Sequence, residues 1–375
     1  MTGTGEDRSS EEYKGTGMTT PEIIQRKSDH VEICLREDIL NSTNYWDDVQ
    51  LVHRALPEVD LEAVDLSTEI LGVQLGAPLV IASMTGGHGH GKLINDNLAA
   101  AAAELRIPMG VGSQRPALEH PEYAETFAPI KDHDVPLVIA NLGAPQLIDQ
   151  REGRAVGADQ IRGLMDLIGA DVLAVHLNFL QEVAQPEGDT RAAGVLEAIA
   201  TLSEEIPIIA KETGAGISHP VAMELLEAGV RAIDVGGAGG TSFAAVEAVR
   251  SRERGLDQLA KLGWTFKDWG IPTPVSVIEC SAVGLPVIAT GGIRHGLDAA
   301  RALVLGADAV GLARTVLAPA VEGRGQTMMA LQELVRELRA AMFLVGAASV
   351  ADMQEQQFIL SDRIMAWLAR FEGEE

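Results

Sequence analysis

Pro136-Leu-Val-Ile-Ala-Asn141 and Asp171-Val-Leu-Ala-Val-His176 are short apolar runs with no polar face, and each ends on a hydrogen-bonding side chain. A half-exposed strand alternates apolar and polar residues. A run that is apolar throughout suits a parallel strand covered on both sides. The same kind of run recurs upstream in Pro78-Leu-Val-Ile-Ala-Ser83 and Ile107-Pro-Met-Gly-Val-Gly112. Downstream it recurs in Ile206-Pro-Ile-Ile-Ala-Lys211, Ala232-Ile-Asp-Val-Gly236, Pro286-Val-Ile-Ala-Thr290 and Asp308-Ala-Val-Gly-Leu312. Helical spacing fills most gaps, over Ile94 to Leu105, Thr190 to Ser203 (Val195, Ile199 and Leu202 on one side), His219 to Ala228 and Leu297 to Leu305. This alternation predicts an α/β fold, a (β/α)8 TIM barrel with an N-terminal flanking segment. A doubly wound open sheet is the alternative.

Residues 1–20 are rich in Gly, Thr, Ser and Glu and are expected to form a disordered acidic tail. Residues 21–375 then make one barrel domain, with 21–78 capping or flanking its body. Ser242 to Val277 is too long for a plain connector and should hold a helix plus an ordered loop. Gln326 to Val345 places Leu331, Leu334, Val335, Leu338 and Met342 at helical spacing and should close the last β/α unit.

Charge narrows the function. Fifty-four acidic against 29 basic residues give a net charge of −25. Such a field repels phosphate, which disfavours nucleic acid and anionic membrane surfaces as partners. Any anionic ligand therefore needs a local basic pocket. The acidic surplus also suits a high-salt medium, where screening reduces self-repulsion. Cys34 and Cys280 are too few for a disulfide framework or a cysteine-rich zinc site. No apolar run has transmembrane length, and no secretory leader is evident, so a cytoplasmic location is expected.

In a TIM barrel, chemistry collects where strands end. Here those ends are Ser83-Met-Thr-Gly-Gly87, Gly112-Ser-Gln-Arg115, Asn141-Leu-Gly143, His176-Leu-Asn178 continuing to Gln181-Glu182, and Lys211-Glu-Thr-Gly214. Glycine loops follow the late strands: Asp234-Val-Gly-Gly-Ala-Gly-Gly-Thr241 and Thr290-Gly-Gly-Ile-Arg294, then Gly311-Leu-Ala-Arg314. Glycines expose backbone N–H groups, and loops after strands 7 and 8 are the usual phosphate site of this fold. A phosphate-bearing cofactor is expected there.

Lys211 ends an apolar strand, so its ammonium needs an anion. That anion is either an electron-rich ring or a structural carboxylate, Glu212 or Asp234. His176 reads as a general acid, a ring contact or a packed polar residue. Glu182 is a candidate magnesium carboxylate. Arg26-Lys27 offers adjacent cations for a diphosphate. His88 and His90 on their glycine loop are insufficient for a metal, and the two cysteines read as packing residues.

Taken as an ordered set, these stretches resemble the type 2, flavin-dependent isopentenyl-diphosphate isomerases. The matching segments are Arg26-Lys-Ser-Asp-His-Val-Glu32, Ser83-Met-Thr-Gly-Gly87, Gly110-Val-Gly-Ser-Gln-Arg115 and Ala140-Asn-Leu-Gly143. They continue with His176-Leu-Asn178, Gln181-Glu182, Lys211-Glu-Thr-Gly214, Gly239-Gly-Thr241, Trp269-Gly-Ile-Pro-Thr273 and Thr290-Gly-Gly-Ile-Arg-His-Gly-Leu-Asp298. The resemblance implies interconversion of isopentenyl and dimethylallyl diphosphate in isoprenoid biosynthesis, with FMN and Mg2+, in a homo-oligomer of four or eight chains. NADPH would serve only to reduce the flavin.

By this likeness Ser83, Met84, Thr85, Ser113, Asn141 and Lys211 would hold FMN. So would Thr241, Gly292, Ile293, Arg294, Ala313 and Arg314. Arg26, Lys27, Ser113, Gln114, Arg115 and Gln181 would contact substrate. Glu182 would bind the metal, and Gln181, His176 and Lys211 would serve the chemistry. The family often has Ser where this chain has Gly236, which removes a hydroxyl from the flavin loop.

The rival reading is an FMN-dependent 2-hydroxy-acid oxidase, for which Arg294-His295 superficially supplies an arginine and a base. A cysteine-dependent nucleotide dehydrogenase is a further rival, but Cys280 stands before strand 7, away from the strand ends. An inert partner-binding barrel is the non-enzymatic one.

Overall fold

A computed structural model describes residues 20–151 and 153–372. The tail expected over residues 1–20 lies outside the described residues, apart from Thr20. The apolar runs become β1 (Leu79–Ile81), β2 (Met109–Gly110), β3 (Val138–Gly143), β4 (Val172–Leu177), β5 (Ile208–Glu212), β6 (Ala232–Asp234), β7 (Val287–Thr290) and β8 (Ala309–Leu312). Each pairs in parallel with its sequence neighbour, and β8 pairs with β1 to close the barrel. The open-sheet alternative is thereby excluded.

Side chains along each strand alternate between an inner and an outer core. Val80, Ile139, Ala174, Ile209, Ile288 and Ala309 fill the inside. Their neighbours Leu79, Ala140, Leu173, Ile208, Val287 and Val310 pack outward with the helices. This is why the runs carry no polar position: both faces of every strand are buried. A hairpin of Thr68–Ile70 and Val73–Leu75 floors the barrel, adding Ile70 and Leu75 to the inner core. Its two-residue turn, Leu71-Gly72, has positive φ at both positions, as a tight hairpin of this twist requires. With the bottom filled, the open end is the end where the strands finish.

The flanking segment does more than flank. Helix α1 (Thr20–Arg36) packs against α4 (Phe243–Glu253) and α6 (Arg314–Glu322) at that open end. The chain then stitches itself to the late glycine loops. Asn41 N–H donates to Gly240 O at 2.8 Å, Asn44 Nδ2 to Gly292 O at 2.6 Å, and Trp46 Nε1 to Gly291 O at 2.8 Å. Trp46 is fully buried, so this anchor is both apolar and hydrogen-bonded.

Some boundaries differ from expectation. The helix expected over Thr190 to Ser203 starts at Val195, because Gly194 adopts φ +93, yet Val195, Ile199 and Leu202 are its buried stripe. The stretch from Ser242 holds three helices, α4, Asp257–Thr265 and Thr273–Ser281, rather than one. Gly255 and Gly270, both at positive φ, break the chain between them. The long late helix runs over Arg324–Val345, and it is α6 that directly follows β8. The longer helix packs against α6, the helix Gly296–Val304 and the helix Gly91–Leu105, so it seals the seam where the barrel closes.

Trp46→Phe should leave Gly291 O without its buried donor and cost about 1–3 kcal/mol. Urea denaturation of the two proteins measures this; an unchanged midpoint would mean that the tryptophan does not hold the loop.

Candidate active site

A cavity of about 760 Å3 lies where the strands end, roofed by α1. That volume falls in the range of small-ligand sites. On α1, Lys27, His30, Val31 and Cys34 recur at one helical face and line it together. Every residue expected to hold a flavin lines it too: Ser83, Met84 and Thr85 after β1, Ser113 after β2, Asn141 on β3, and Lys211 on β5. The others come from the late loops: Thr241, then Gly292, Ile293 and Arg294, then Ala313 and Arg314. His176 and Gln181 line the cavity as well, whereas Arg26, Gln114, Arg115 and Glu182 stand behind its wall.

The late loops meet backbone to backbone. A Cβ on Gly240 would lie 2.5 Å from Gly292 N, and one on Gly292 would lie 2.6 Å from Gly239 O. Gly292 itself has φ +73, so no side chain is tolerated there on two counts. Trp46 holds Gly291 O, which in a trans peptide turns the Gly292 N–H to the opposite side. The N-terminus of α6 begins beside this loop with Arg314, which donates to Cys34 O at 2.9 Å and forms no ion pair among the described residues. Thr290 Oγ1, also on the cavity, is buried without a partner. A phosphate monoester would satisfy these donors, so the residues present fit the phosphate end of FMN.

Two late residues are otherwise engaged. The Arg294 guanidinium is held by Asp47 at 2.7 and 2.9 Å and by Asp298 at 2.9 and 3.0 Å. These carboxylates raise its pKa further. Its guanidinium therefore braces the loop, and a flavin contact would have to come from elsewhere in the residue. His295 accepts from Asp298 N–H at the start of a helix and does not line the cavity. The Arg-His pair of the hydroxy-acid oxidase reading is thus committed to structure. Gly236 also has a local cause: at φ +45, a Cβ there would collide with the Glu212 carbonyl. A serine at this position would displace β5.

Lys211 pairs with Asp234 at the matching position of the neighbouring strand β6, Nζ to Oδ2 at 2.8 Å, in a buried pair. Asp234 is thus its structural carboxylate. Glu212 is not, because it accepts backbone N–H bonds from Thr213, Gly214, Ala215 and Gly216. Burial still pushes Glu212 up to about 7 against those donors. His176 Nδ1 lies 2.8 Å from Asn141 Oδ1. Burial, helped by Lys27, Lys211 and Arg115, holds His176 down at about 3, so it is neutral at physiological pH.

At the opposite end from the glycine loops the charges change character. Arg26 is buried, its Nε has no partner, and burial with Arg115 beside it lowers its pKa. Lys27 forms no ion pair among the described residues, and burial plus the two arginines bring it down to about 7. Arg115 is paired with Glu119 and Asp189 at 2.8 and 2.7 Å. Gln114 donates to Leu164 O at 2.9 Å and accepts from Asn141 N–H at 3.2 Å, which makes it part of the wall. Glu182 accepts from Asn178 and the Asp189 N–H at 2.8 Å each, and from Gln185. Among the described residues no three His, Cys, Asp or Glu side chains gather as a metal site. A Mg2+ held by Glu182 would therefore need further ligands from outside this set, such as phosphate oxygens and water.

Sequence reading missed Glu247. It lies on α4 with no local motif around it, yet it is fully buried and accepts from Gln181 Nε2 at 3.0 Å. Burial acts to raise its pKa, but His30 at 2.7 Å and Arg250 at 3.1 Å overcome this and hold it near about 2. A permanently charged acceptor therefore fixes the Gln181 amide from behind.

The FMN-dependent dehydrogenase family model matches residues 31–120 and 182–360. A curated isopentenyl-diphosphate delta-isomerase of Methanothrix thermoacetophila is 46% identical over 91% of this chain and 94% of its own. The chain belongs to the isopentenyl-diphosphate delta-isomerase family. Relatives of that name from Thermoplasma volcanium (45% identical, 92% of this chain, 99% of its own) and Halobacterium salinarum (43%, 92% and 96%) agree. A solved structure of mandelate oxidase with (S)-2-phenylpropionate superposes with a TM-score of 0.60 over 92% of this chain and 98% of its own, at 19% identity. It shares the barrel; membership of the isomerase family rests on the sequence matches.

Lys211→Met should leave Asp234 buried and unpaired and cost about 3–5 kcal/mol. Adding Asp234→Leu should recover most of this. Urea denaturation of both variants checks it, and equal stability of the single variant and the parent would show the pair to be dispensable.

Proposed function

We propose that this chain interconverts isopentenyl and dimethylallyl diphosphate, using reduced FMN and Mg2+, in isoprenoid biosynthesis. The observation that carries the reading is one cavity with a glycine-loop phosphate cradle at one end and, at the other, Lys27 on its lining with Arg26 behind the wall, neither in an ion pair among the described residues. In an acidic protein, two such anion sites on a shared cavity fit a phosphate-bearing cofactor meeting a phosphate-bearing substrate.

The reaction adds a proton to one terminal alkene carbon and removes another two carbons away, with no net redox change. Reduced FMN, when bound, supplies the proton donor and acceptor near N5 of its ring. NADPH would only reduce it. The protein's task is then positioning. Arg26 and Lys27 grip the diphosphate, with Glu182 lending one ligand to a Mg2+ carried by it. Gln181, fixed by Glu247, orients the alkene, and neutral His176, whose one N–H is given to Asn141 Oδ1, packs as a ring contact with Nε2 as an acceptor rather than as a cationic acid. Lys211, ion-paired with Asp234, would turn its remaining N–H donors towards the reduced ring and favour negative charge there. We take the working form to be a cytoplasmic homo-oligomer, as the family resemblance implies. Among the described residues no helix is long and apolar enough to cross a membrane.

Anaerobic incubation of the FMN-loaded, reduced protein with isopentenyl diphosphate and Mg2+ should yield the dimethylallyl isomer. Flavin bleaching by lactate or glycolate, with no isomer formed, would return the oxidase reading. Gln181→Ala should lower kcat about 100-fold, as misplacement of a reacting group does; full turnover would remove Gln181 from the positioning role.

Lys27 adds a pH signature. With its pKa near about 7, it is mostly neutral in the free protein at pH 8. A diphosphate favours the charged form, so binding takes up a proton, and affinity falls as pH rises past 7. Calorimetry in buffers of different ionisation enthalpy should detect this uptake and its loss in Lys27→Met. Identical proton uptake by both proteins would contradict the assignment.

A further inference from the structure

His88 follows the Ser83–Gly87 stretch and is only 2% exposed, yet neither Nδ1 nor Nε2 has a hydrogen-bond partner. It lines the same cavity as Lys27 and Ser113. A buried imidazole with both nitrogens unmatched is unfavourable unless a ligand completes it.

The loop is built to keep the ring there. Gly86 has φ +142 and is pressed so closely on Phe127 that a Cβ would overlap its ring. Gly87 has φ +77 and a Cβ would sit 2.8 Å from Pro116 Cγ, while its N–H donates to Thr126 Oγ1 at 2.8 Å. Asn95 ties the two sides together, accepting from Thr85 Oγ1 at 2.8 Å and donating to Thr126 O at 2.9 Å. The carbonyl of His88 itself accepts from Gly91 N–H at 2.9 Å. The backbone that carries the imidazole is thus held by Gly87 on one side and Gly91 on the other.

The surroundings choose the ligand. The charges that act on His88 belong to Lys27, His90 and His30, all potential cations. No carboxylate is among them, and no metal-ligating group of three is present among the described residues. The complement is an anionic oxygen. We propose that His88 donates a hydrogen bond to the diphosphate head of the substrate beside Lys27, making it a substrate-binding residue. This rests on the function proposed above.

His88→Phe keeps the ring's shape without an N–H, and His88→Asn keeps a donor. All three proteins are loaded with FMN and titrated calorimetrically with inorganic pyrophosphate, and the KM for isopentenyl diphosphate is measured in parallel. His88→Phe should weaken pyrophosphate about tenfold and raise KM to match, leaving kcat and FMN affinity within twofold. His88→Asn should recover much of the loss. Unchanged pyrophosphate affinity and KM in His88→Phe would overturn the proposal, as would weakened FMN binding with pyrophosphate unaffected. Should His88→Phe fail to fold, His88→Asn decides: near-parental pyrophosphate affinity supports a donor role, and a loss as large as tenfold overturns it. If the parent binds pyrophosphate but forms no dimethylallyl isomer, the function above fails while the pyrophosphate comparison still judges His88.

Discussion

Positive charge without a carboxylate partner at the open end of the barrel is what the site depends on. Acidic residues outnumber basic ones by 54 to 29. Of the buried arginines, Arg115 and Arg250 are ion-paired, whereas Arg26 forms no ion pair among the described residues. Arg115, Arg250 and Arg294 each face at least two carboxylates. Arg26, Lys27 and Arg314 form no ion pair among the described residues, and they stand around one cavity. Burying cations without an ion-pair partner costs stability, and burial together with Arg26 and Arg115 lowers the Lys27 pKa to about 7. A diphosphate or phosphate beside these cations would offset the penalty, which favours its binding.

The fold makes such a site possible by closing every other way in. Parallel strands bury both faces, and the hairpin at residues 68–75 fills the bottom. The open end is then roofed by α1, which brings Lys27 and His30 over the barrel. Asn41, Asn44 and Trp46 tie this N-terminal segment to the glycine loops by hydrogen bonds. The segment that supplies the diphosphate cations therefore also holds the phosphate loop in shape, which couples the two ends of the cavity mechanically.

The strands were legible in the sequence because two-sided burial leaves a plain mark: short runs with no polar position. The glycine loops were legible because backbone packed on backbone excludes side chains, as at Gly240 and Gly292. What escaped was tertiary in origin. That Arg294 is absorbed by Asp47 depends on a residue 247 positions away. The support that Glu247 gives Gln181 crosses 66 positions. Nothing local marks either. Gly236 read as a lost hydroxyl, but its positive φ and the Glu212 carbonyl show a backbone constraint. The segment after Thr241 was underdivided because its breaks, Gly255 and Gly270, look like ordinary glycines until their φ values are seen.

The central claim is that the two ends of one cavity are reserved for two different phosphorylated molecules. A crystal structure of the FMN-loaded, reduced protein soaked with isopentenyl diphosphate and Mg2+ tests it most directly. The account expects the flavin phosphate against Gly292 and Arg314, and the diphosphate against Arg26 and Lys27. A diphosphate bound elsewhere, with Arg26 and Lys27 turned instead onto Glu187 or Glu247, would contradict it.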